Sequence, residues 1–137
     1  LDPTNSNIIY ASTMGKHYAQ DTERGVFKSI NAGATWTQIF NTATDAGAID
    51  ILMDPFNTNT LYCAMFNRFR TNQVTIASGP NSLIYKSIDG GSTWNLIMNG
   101  LPQGDNSRIS LDASKLTPNL IFCSIWRYQN ILTICTQ

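Results

Sequence analysis

The sequence predicts an all-β protein built from repeated units of four antiparallel strands. Two observations support this class: one eight-residue motif occurs twice, and short apolar segments bounded by turn residues recur around its copies. The composition agrees, because Thr (15), Asn (14) and Ser (11) are abundant while charged residues form only 13% of the chain. Thr and aromatic residues favour strands, whereas Asn and Ser favour the turns that join them.

The charge balance excludes two classes of function. Nine basic and nine acidic residues give a net charge of zero, whereas nucleic-acid binders and proteins that adhere to anionic membranes carry a basic excess. No apolar run approaches the roughly 20 residues that span a bilayer. Cys63, Cys123 and Cys135 lack metal-ligand spacing, so we expect no metal or cofactor, and buried thiols rather than disulfides.

The internal repeat has two landmarks. The motif at 29–36 recurs 58 residues later, at 87–94. A segment rich in Asp, Pro and Asn at 1–10 recurs 52 residues later, at 53–62, and more loosely at 111–122. The difference between the two spacings places an insertion of six residues in the second unit. A period of this length with several short strands per unit predicts the blade of a β-propeller.

The repeat divides the chain into three successive blades and a tail. We predict a partial blade with strands two to four at 1–47, a complete blade at 48–98, a partial blade with strands one and two at 99–126, and an atypical tail at 127–137. Because a propeller needs at least about four blades to close, we expect this chain to be a fragment that needs the remaining blades of a parent protein. Its open faces and strand edges predict self-association.

The strands are placed by their residue pattern. The apolar run at 48–53 is typical of a doubly buried inner strand. The Asp-Pro-x-Asn-x-Asn segment that follows has the chemistry of a turn. Further strands are expected near 8–13, 25–30, 35–40, 61–66, 83–87, 93–98, 108–113 and 119–126.

The repeated motif itself predicts a tight turn between strands three and four. Asn31 and Asp89 can exchange hydrogen bonds with the backbone of the turn, and Gly33 and Gly91 can adopt a positive φ. The tryptophan that ends each motif is expected to begin the outer strand and hold it on its sheet. We assign a structural role, rather than catalysis or metal binding, to ten motif positions: Ser29, Asn31, Gly33, Thr35, Trp36, Ser87, Asp89, Gly91, Thr93 and Trp94.

The motif Ser-x-Asp-x-Gly-x-Thr-Trp resembles the Asp-box, or bacterial neuraminidase repeat, of sialidases, xyloglucanase-type glycoside hydrolases and sortilin-type propellers. The stretches 47–55, 62–71 and 99–105 are most similar to bacterial sortilin-like propellers. The resemblance covers residues 1–124 and implies a secreted or cell-surface parent protein. It further implies non-catalytic binding of a protein, peptide or glycan ligand. This chain carries no recognisable signal peptide, so the location is an expectation for the parent.

Any binding site is expected on the face where the long, irregular loops emerge, because variable loops on a rigid scaffold carry most binding residues. Two arginines flanking a phenylalanine at 68–70 could pair with a carboxylate or peptide terminus beside an aromatic surface. The alternative is a solvated loop with the phenylalanine tucked against its own blade. The candidate ligand-binding residues are Arg68, Phe69, Arg70, His17 and Tyr18, and further candidates on the same face are Arg24, Asp45 and Asp105.

A fragment of a glycoside hydrolase is the alternative function. Such an enzyme needs two carboxylates roughly 5–10 Å apart. Asp50, on the predicted inner strand, could point into a central channel, but its counterpart in the third blade is Ser110, and Glu23 is the single glutamate of the chain. No convincing pair emerges, so we expect neighbouring backbone amides to satisfy Asp50.

Overall fold

A computed structural model describes residues 1–127 and 130–131, which consist of strands, turns and loops without any helix. The all-β prediction is therefore confirmed. The strands in chain order are β1 (Ile9–Thr13), β2 (Gly25–Ser29), β3 (Thr37–Phe40), β4 (Ala46–Asp54), β5 (Asn57–Asn67), β6 (Phe69–Arg70), β7 (Thr75–Ile76), β8 (Ile84–Ser87), β9 (Asn95–Ile97), β10 (Ile109–Ala113), β11 (Ile121–Arg127) and β12 (Asn130–Ile131).

The strands form three successive antiparallel sheets whose spatial order follows the chain. The first sheet has the order β1-β2-β3, the middle sheet β4-β5-β8-β9, and the third sheet β10-β11-β12. Strand β4 contacts both β1 and β10, so the three sheets lie side by side. Strands β6 and β7 form a separate two-stranded ribbon. Across the described residues, none of the sheets closes on itself.

Each strand predicted from the sequence is present. The sequence missed the ribbon β6–β7, which lies in the inserted segment, because two-residue strands show no alternation of polar and apolar residues. It also missed β12, in which Asn130 pairs with Arg127. The tail predicted at 127–137 is therefore partly sheet, and its positions 128–129 and 132–137 lie outside the described residues.

Two apolar cores lie between neighbouring sheets. Strand β5 contributes to both, because successive residues of a strand point to opposite faces. Cys63 and Met65 belong to the core shared with the first sheet, and Ala64 belongs to the core shared with the third. All three are 0% exposed, which explains why the sequence shows an uninterrupted apolar run here.

The inner strands of the middle and third sheets are joined by Asp50. Its Oδ2 accepts a hydrogen bond of 2.9 Å from the backbone N–H of Leu111, on β10. An irregularity in the pairing between Ala48 and Asp50 interrupts the regular register of β4 at this point. The expectation that backbone amides satisfy this carboxylate is confirmed.

The two copies of the motif fold into turns with the same hydrogen bonds, and we call them the repeated turns (29–36 and 87–94). In the second turn, Ser87 Oγ donates to Asp89 (2.8 Å) and accepts from Gly91 N (2.9 Å), and Asp89 accepts from Thr93 N (2.9 Å). The first turn makes the equivalent bonds at 2.9, 2.8 and 2.8 Å. Both turns place their glycine at a φ of 91°, as the sequence predicts.

The hydrogen bonds in the second turn also fix the charge state of Asp89. Thr93 donates to the carboxylate through its hydroxyl at 2.6 Å and through its backbone N–H at 2.9 Å. These bonds, with that of Ser87, lower the pKa of Asp89 from 3.8 to about 2. The ionised form is therefore the one that holds the turn.

The motif tryptophans differ from their predicted position. The outer strands begin one residue later, at Thr37 and Asn95. Trp94 packs between two sheets: it lies against the core that contains Cys63 of its own sheet, and it stacks on Phe40 of the first sheet with ring centroids 4.8 Å apart. Its indole N–H donates to the carbonyl of Gly91 at 3.1 Å.

The cysteines are in different states. Cys63 is a free, buried thiol, and burial raises its pKa far above the ordinary value. Cys123 is disulfide-bonded, and its partner lies outside the described residues. The prediction of buried thiols is thus confirmed for Cys63 and wrong for Cys123, because spacing along the chain does not show which cysteines meet in space.

Candidate ligand-binding face

The loops between β1 and β2, β3 and β4, β5 and β8, and β9 and β10 form what we call the loop face (14–24, 41–45, 68–83 and 98–108). Backbone hydrogen bonds join these loops from sheet to sheet. Arg70 N donates to His17 O at 3.0 Å, and Arg68 N donates to Asp45 O at 3.1 Å. At the C-terminal end of the loop 68–83, Gly79 N donates to the carbonyl of Asn106 at 3.0 Å. The ribbon is therefore held between the first sheet and the segment that leads into the third.

Arg24 lies beneath this face and is 1% exposed. Its guanidinium donates to the carbonyls of Ala19 and Arg68, both at 3.2 Å, and to that of Lys16. Burial lowers the pKa of Arg24, although nearby Asp21 counteracts part of this effect. The prediction of Arg24 as an accessible binding residue is wrong, because its long side chain turns inward and fastens the loop 14–24 to the ribbon.

Asp21 holds the same loop from its other side. Its carboxylate accepts the backbone N–H of Glu23 at 3.0 Å and that of Lys16 at 2.9 Å. These bonds lower the pKa of Asp21 below its ordinary value. Glu23 thus contributes to this loop through its backbone N–H. Among the described contacts, its carboxylate does not form the pair with Asp50 that a glycoside hydrolase would need.

The ribbon separates the three residues at 68–70. Arg68 and Phe69 are half-buried, whereas Arg70 is exposed. The Nε atom of Arg70 donates to Thr75 Oγ1 at 3.1 Å, which fixes the base of its guanidinium. Among the described residues, the terminal nitrogens of Arg70 have no hydrogen-bond partner, and the Nε of Arg68 is buried without one. Of the two arginines of this segment, Arg70 is therefore the one that faces solvent.

His17 and Tyr18 lie on the loop 14–24, which is joined to the ribbon by the backbone bond from Arg70 to His17. Both are exposed, Tyr18 to 65%. The backbone bond between Arg70 and His17 brings these predicted residues together. Asp45 is half-buried, and its carboxylate accepts a hydrogen bond of 3.4 Å from the side-chain amide of Asn81. Asp105 is exposed on the segment 98–108, and no described contact joins it to this group.

Sequence reasoning missed the polar residues that support the ribbon. Asn67 N donates to Ser82 Oγ at 2.9 Å, and Asn67 Oδ1 accepts from Asn81 N at 2.7 Å. Asn67 and Ser82 are 3% and 0% exposed. These bonds close the base of the inserted segment. The sequence signals them only weakly, through a polar residue at the end of the apolar strand β5 and another shortly before β8.

The loop face also contains an apolar cavity of about 200 Å³ between the middle and third sheets. Ile84 and Ile97 line it from one side, Ile109 and Ile125 from the other. Asn106 lies at its wall, 3% exposed, and its Oδ1 has no partner in the part of the chain that the structure describes. The cavity was not predicted, because it arises only where the two sheets meet.

The described ranges 1–127 and 130–131 contain no cluster of three or more His, Cys, Asp or Glu residues that could hold a metal ion. Over the same ranges, no helix has the length and apolar character to cross a membrane. Comparison of the chain with protein-family models and with curated proteins finds no match.

Proposed function

We propose that this chain is a segment of an Asp-box β-propeller of the sortilin-like type, in which the three sheets are successive blades. Its role is to bind a ligand without catalysis. Three features support the architecture: the sheets follow one another side by side, the middle sheet has four strands in sequential order, and the repeated turns share their hydrogen bonds. The remaining blades would come from the parent protein.

The ligand in this proposal is a protein, peptide or glycan that carries a carboxylate. The observation that carries it is the exposed guanidinium of Arg70, which is held at its base by Thr75, while the backbone N–H of Arg70 is bonded to the carbonyl of His17, next to Tyr18 in the chain. Arginine pairs with carboxylates through two parallel hydrogen bonds, and an adjacent aromatic ring adds stacking area. The platform is rigid, because Arg24 and three loop-to-loop backbone bonds hold the ribbon in place.

The disulfide at Cys123 supports a secreted or cell-surface location for the parent protein. Disulfides persist in oxidising compartments and are rare in the cytosol. The charge balance of zero fits a ligand recognised by local pairing rather than by a long-range field.

Binding of paired peptides tests this proposal. Short peptides with a free carboxyl terminus, the same peptides amidated, and sialyllactose as a glycan carboxylate are titrated against the chain by calorimetry. Arg70→Gln should weaken binding of the carboxylate ligands by about tenfold or more, since charge-assisted hydrogen bonds contribute about 1.5–3 kcal/mol. Lys115→Gln, which removes an exposed cation outside the loop face, is the control and should leave binding unchanged.

Equal binding of free and amidated peptides, or an Arg70→Gln variant that binds as well as the parent chain, would refute the carboxylate site. The glycoside hydrolase alternative has a separate readout. Release of reducing sugar from xyloglucan or of free sialic acid from sialyllactose would support it, whereas the observed bond from Leu111 N to Asp50 gives that carboxylate a structural role.

A further inference from the structure

The first sheet carries a face that is equivalent, by the repeat, to a buried face of the middle sheet. We call it the leading face (Ala11, Thr13, Phe27 and Trp36). The two repeat spacings map these residues onto Cys63, Met65, Tyr85 and Trp94 of the middle sheet. The chain therefore contains the same sheet face twice, once covered by a neighbouring sheet and once uncovered.

In the middle sheet, the equivalent face is covered by the first sheet. Tyr85 and Trp94 contact the ring of Phe40, with centroid distances of 4.9 and 4.8 Å. At the rim, the hydroxyl of Tyr10 and the ammonium of Lys28 donate to the carbonyl of Gly90 at 3.0 and 2.9 Å. An apolar centre with a hydrogen-bonded rim is the usual anatomy of a specific protein interface.

In the first sheet, the leading face is open. Trp36 is 42% exposed, and all four leading-face residues line one concave surface. The exposed isoleucines at the tips of the repeated turns provide a reference: Ile30 is 71% exposed and Ile88 is 65% exposed. Because Ile30 and Ile88 are exposed to a similar extent, exposure at the tips is a property of the turn in both sheets. Exposure of the leading face, in contrast, arises because no sheet packs against it.

The opposite end of the molecule carries the complementary surface, which we call the trailing face (Phe122 and Trp126 on β11). By the third copy of the repeat, these residues correspond to Tyr62 and Phe66 of β5. Tyr62 and Phe66 are each 2% exposed, whereas Phe122 is 38% and Trp126 is 57% exposed. The trailing face thus presents aromatic residues at positions that are buried between sheets elsewhere in the chain.

We infer that, when the remaining blades proposed for the parent protein are absent, a second copy of this chain docks head to tail, with its trailing face on the leading face of the first. The contact repeats the part of the existing one that Tyr10 makes, because Phe40 and Lys28 have no counterpart on the described strands of the third sheet. Phe122 takes the place that Tyr10 has inside the molecule, because both are equivalent to Tyr62. This inference rests on the repeat and not on the proposed ligand.

Head-to-tail contacts are heterologous, so they generate closed rings or open chains of copies. Two copies supply six sheets, which lies within the roughly four to eight blades from which propellers are built. A closed dimer therefore satisfies both ends of each copy.

Sedimentation velocity of the chain tests the inference. The unmodified chain should sediment as a dimer or larger species. Ala11→Arg places a bulky cation in the leading face, and Phe122→Arg does so in the trailing face; each variant alone should be monomeric. An equimolar mixture of the two should form a one-to-one dimer and nothing larger, because one intact leading face and one intact trailing face remain.

Ile88→Ser removes an exposed apolar side chain away from both faces and should leave association unchanged. Far-UV circular dichroism shows that each variant keeps its strands, and Thr13→Arg replaces Ala11→Arg if the latter does not fold. A monomeric parent chain would overturn the inference, as would a mixture that fails to reassociate or an Ile88→Ser variant that dissociates the oligomer.

Discussion

Phe40 and Trp94 stack across the boundary between the first and middle sheets, with their planes inclined by 23°. Phe40 ends β3, and Trp94 immediately precedes β9. The tryptophan of the second repeated turn therefore packs against an aromatic residue of the preceding sheet. Its contribution to stability depends on a neighbour, and Trp36 has no such aromatic neighbour among the residues that the structure describes.

The first prediction compares these two tryptophans. Trp94→Ala should lower the free energy of unfolding by about 3 kcal/mol, because it empties a packed site between sheets. Trp36→Ala should cost about 1 kcal/mol or less, because this side chain is 42% exposed and stacks on no described ring of another sheet. Urea titrations in a Phe122→Arg background, which removes association, measure both values. Equal losses would contradict the role assigned to the stack.

The second prediction concerns the two turn glycines, which share a φ of 91°. A Cβ at Gly33 would lie 3.7 Å or more from its neighbours, whereas one at Gly91 would lie 2.4 Å from Cδ1 of Ile39 in the first sheet. Gly33→Ala should cost about 1–2 kcal/mol from backbone strain alone. Gly91→Ala should cost about 1 kcal/mol more, because Ile39 must shift. The same urea assay reports the difference, and a smaller loss for Gly91→Ala would show that Ile39 does not cover this turn.

The third prediction concerns Ala32, a non-glycine residue at a φ of 56°. Its counterpart in the second turn is Gly90, at a φ of 68°. Ala32→Gly should stabilise the chain by about 0.5–1 kcal/mol, since relief of left-handed strain exceeds the added freedom of the unfolded chain. Gly90→Ala should have the opposite sign. Differential scanning calorimetry measures both, and a lower melting temperature for Ala32→Gly would refute the strain argument.

The fourth prediction is a dependence of stability on pH that arises at Asp89. Its pKa is lowered to about 2 in the folded chain from 3.8, so its contribution is complete above pH of about 4 and is lost as the pH falls toward 2. Asp89→Asn should flatten this part of the stability profile. Asp2 and Asp21 also have lowered pKa values, so some dependence of stability on pH should remain in the Asp89→Asn variant. Asp105→Asn, at an exposed loop position, is the control and should keep the full slope.

The fifth prediction separates support from recognition on the loop face. Arg24→Met keeps the length of the side chain but removes the hydrogen bonds to Lys16, Ala19 and Arg68. The free energy of unfolding should fall by about 1–3 kcal/mol, because three part-buried carbonyls lose their donor. Hydrogen exchange at the amide of Arg70 should accelerate. Unchanged exchange there would show that the ribbon does not depend on Arg24.

Local pattern was sufficient for much of the fold. The apolar run of β5, the turn residues around it and the repeated turns all report their own conformation, because strand alternation and positive φ depend on adjacent residues. The ribbon β6–β7 could not be predicted, since its two-residue strands are stabilised by pairing rather than by pattern. The same holds for the cavity beside Asn106.

The candidate site was predicted only in outline. His17, Tyr18 and Arg70 were recognised as exposed polar or aromatic loop residues, and the structure places His17 against Arg70. Arg24 was assigned to the same class because charged loop residues are mostly exposed. A buried arginine is distinguished from a surface one by the carbonyls around it, and these come from residues up to 44 positions away.

The order of residues along this chain determined by itself that it forms strands, where the strands turn, and that the turns recur with the same hydrogen bonds, because all of these depend on contacts within a few positions. The tertiary structure decided which faces are covered. Trp94 and Trp36 have the same local sequence, yet one stacks on Phe40 and the other faces solvent. Burial is a property of what lies opposite a side chain, and no local pattern contains that information.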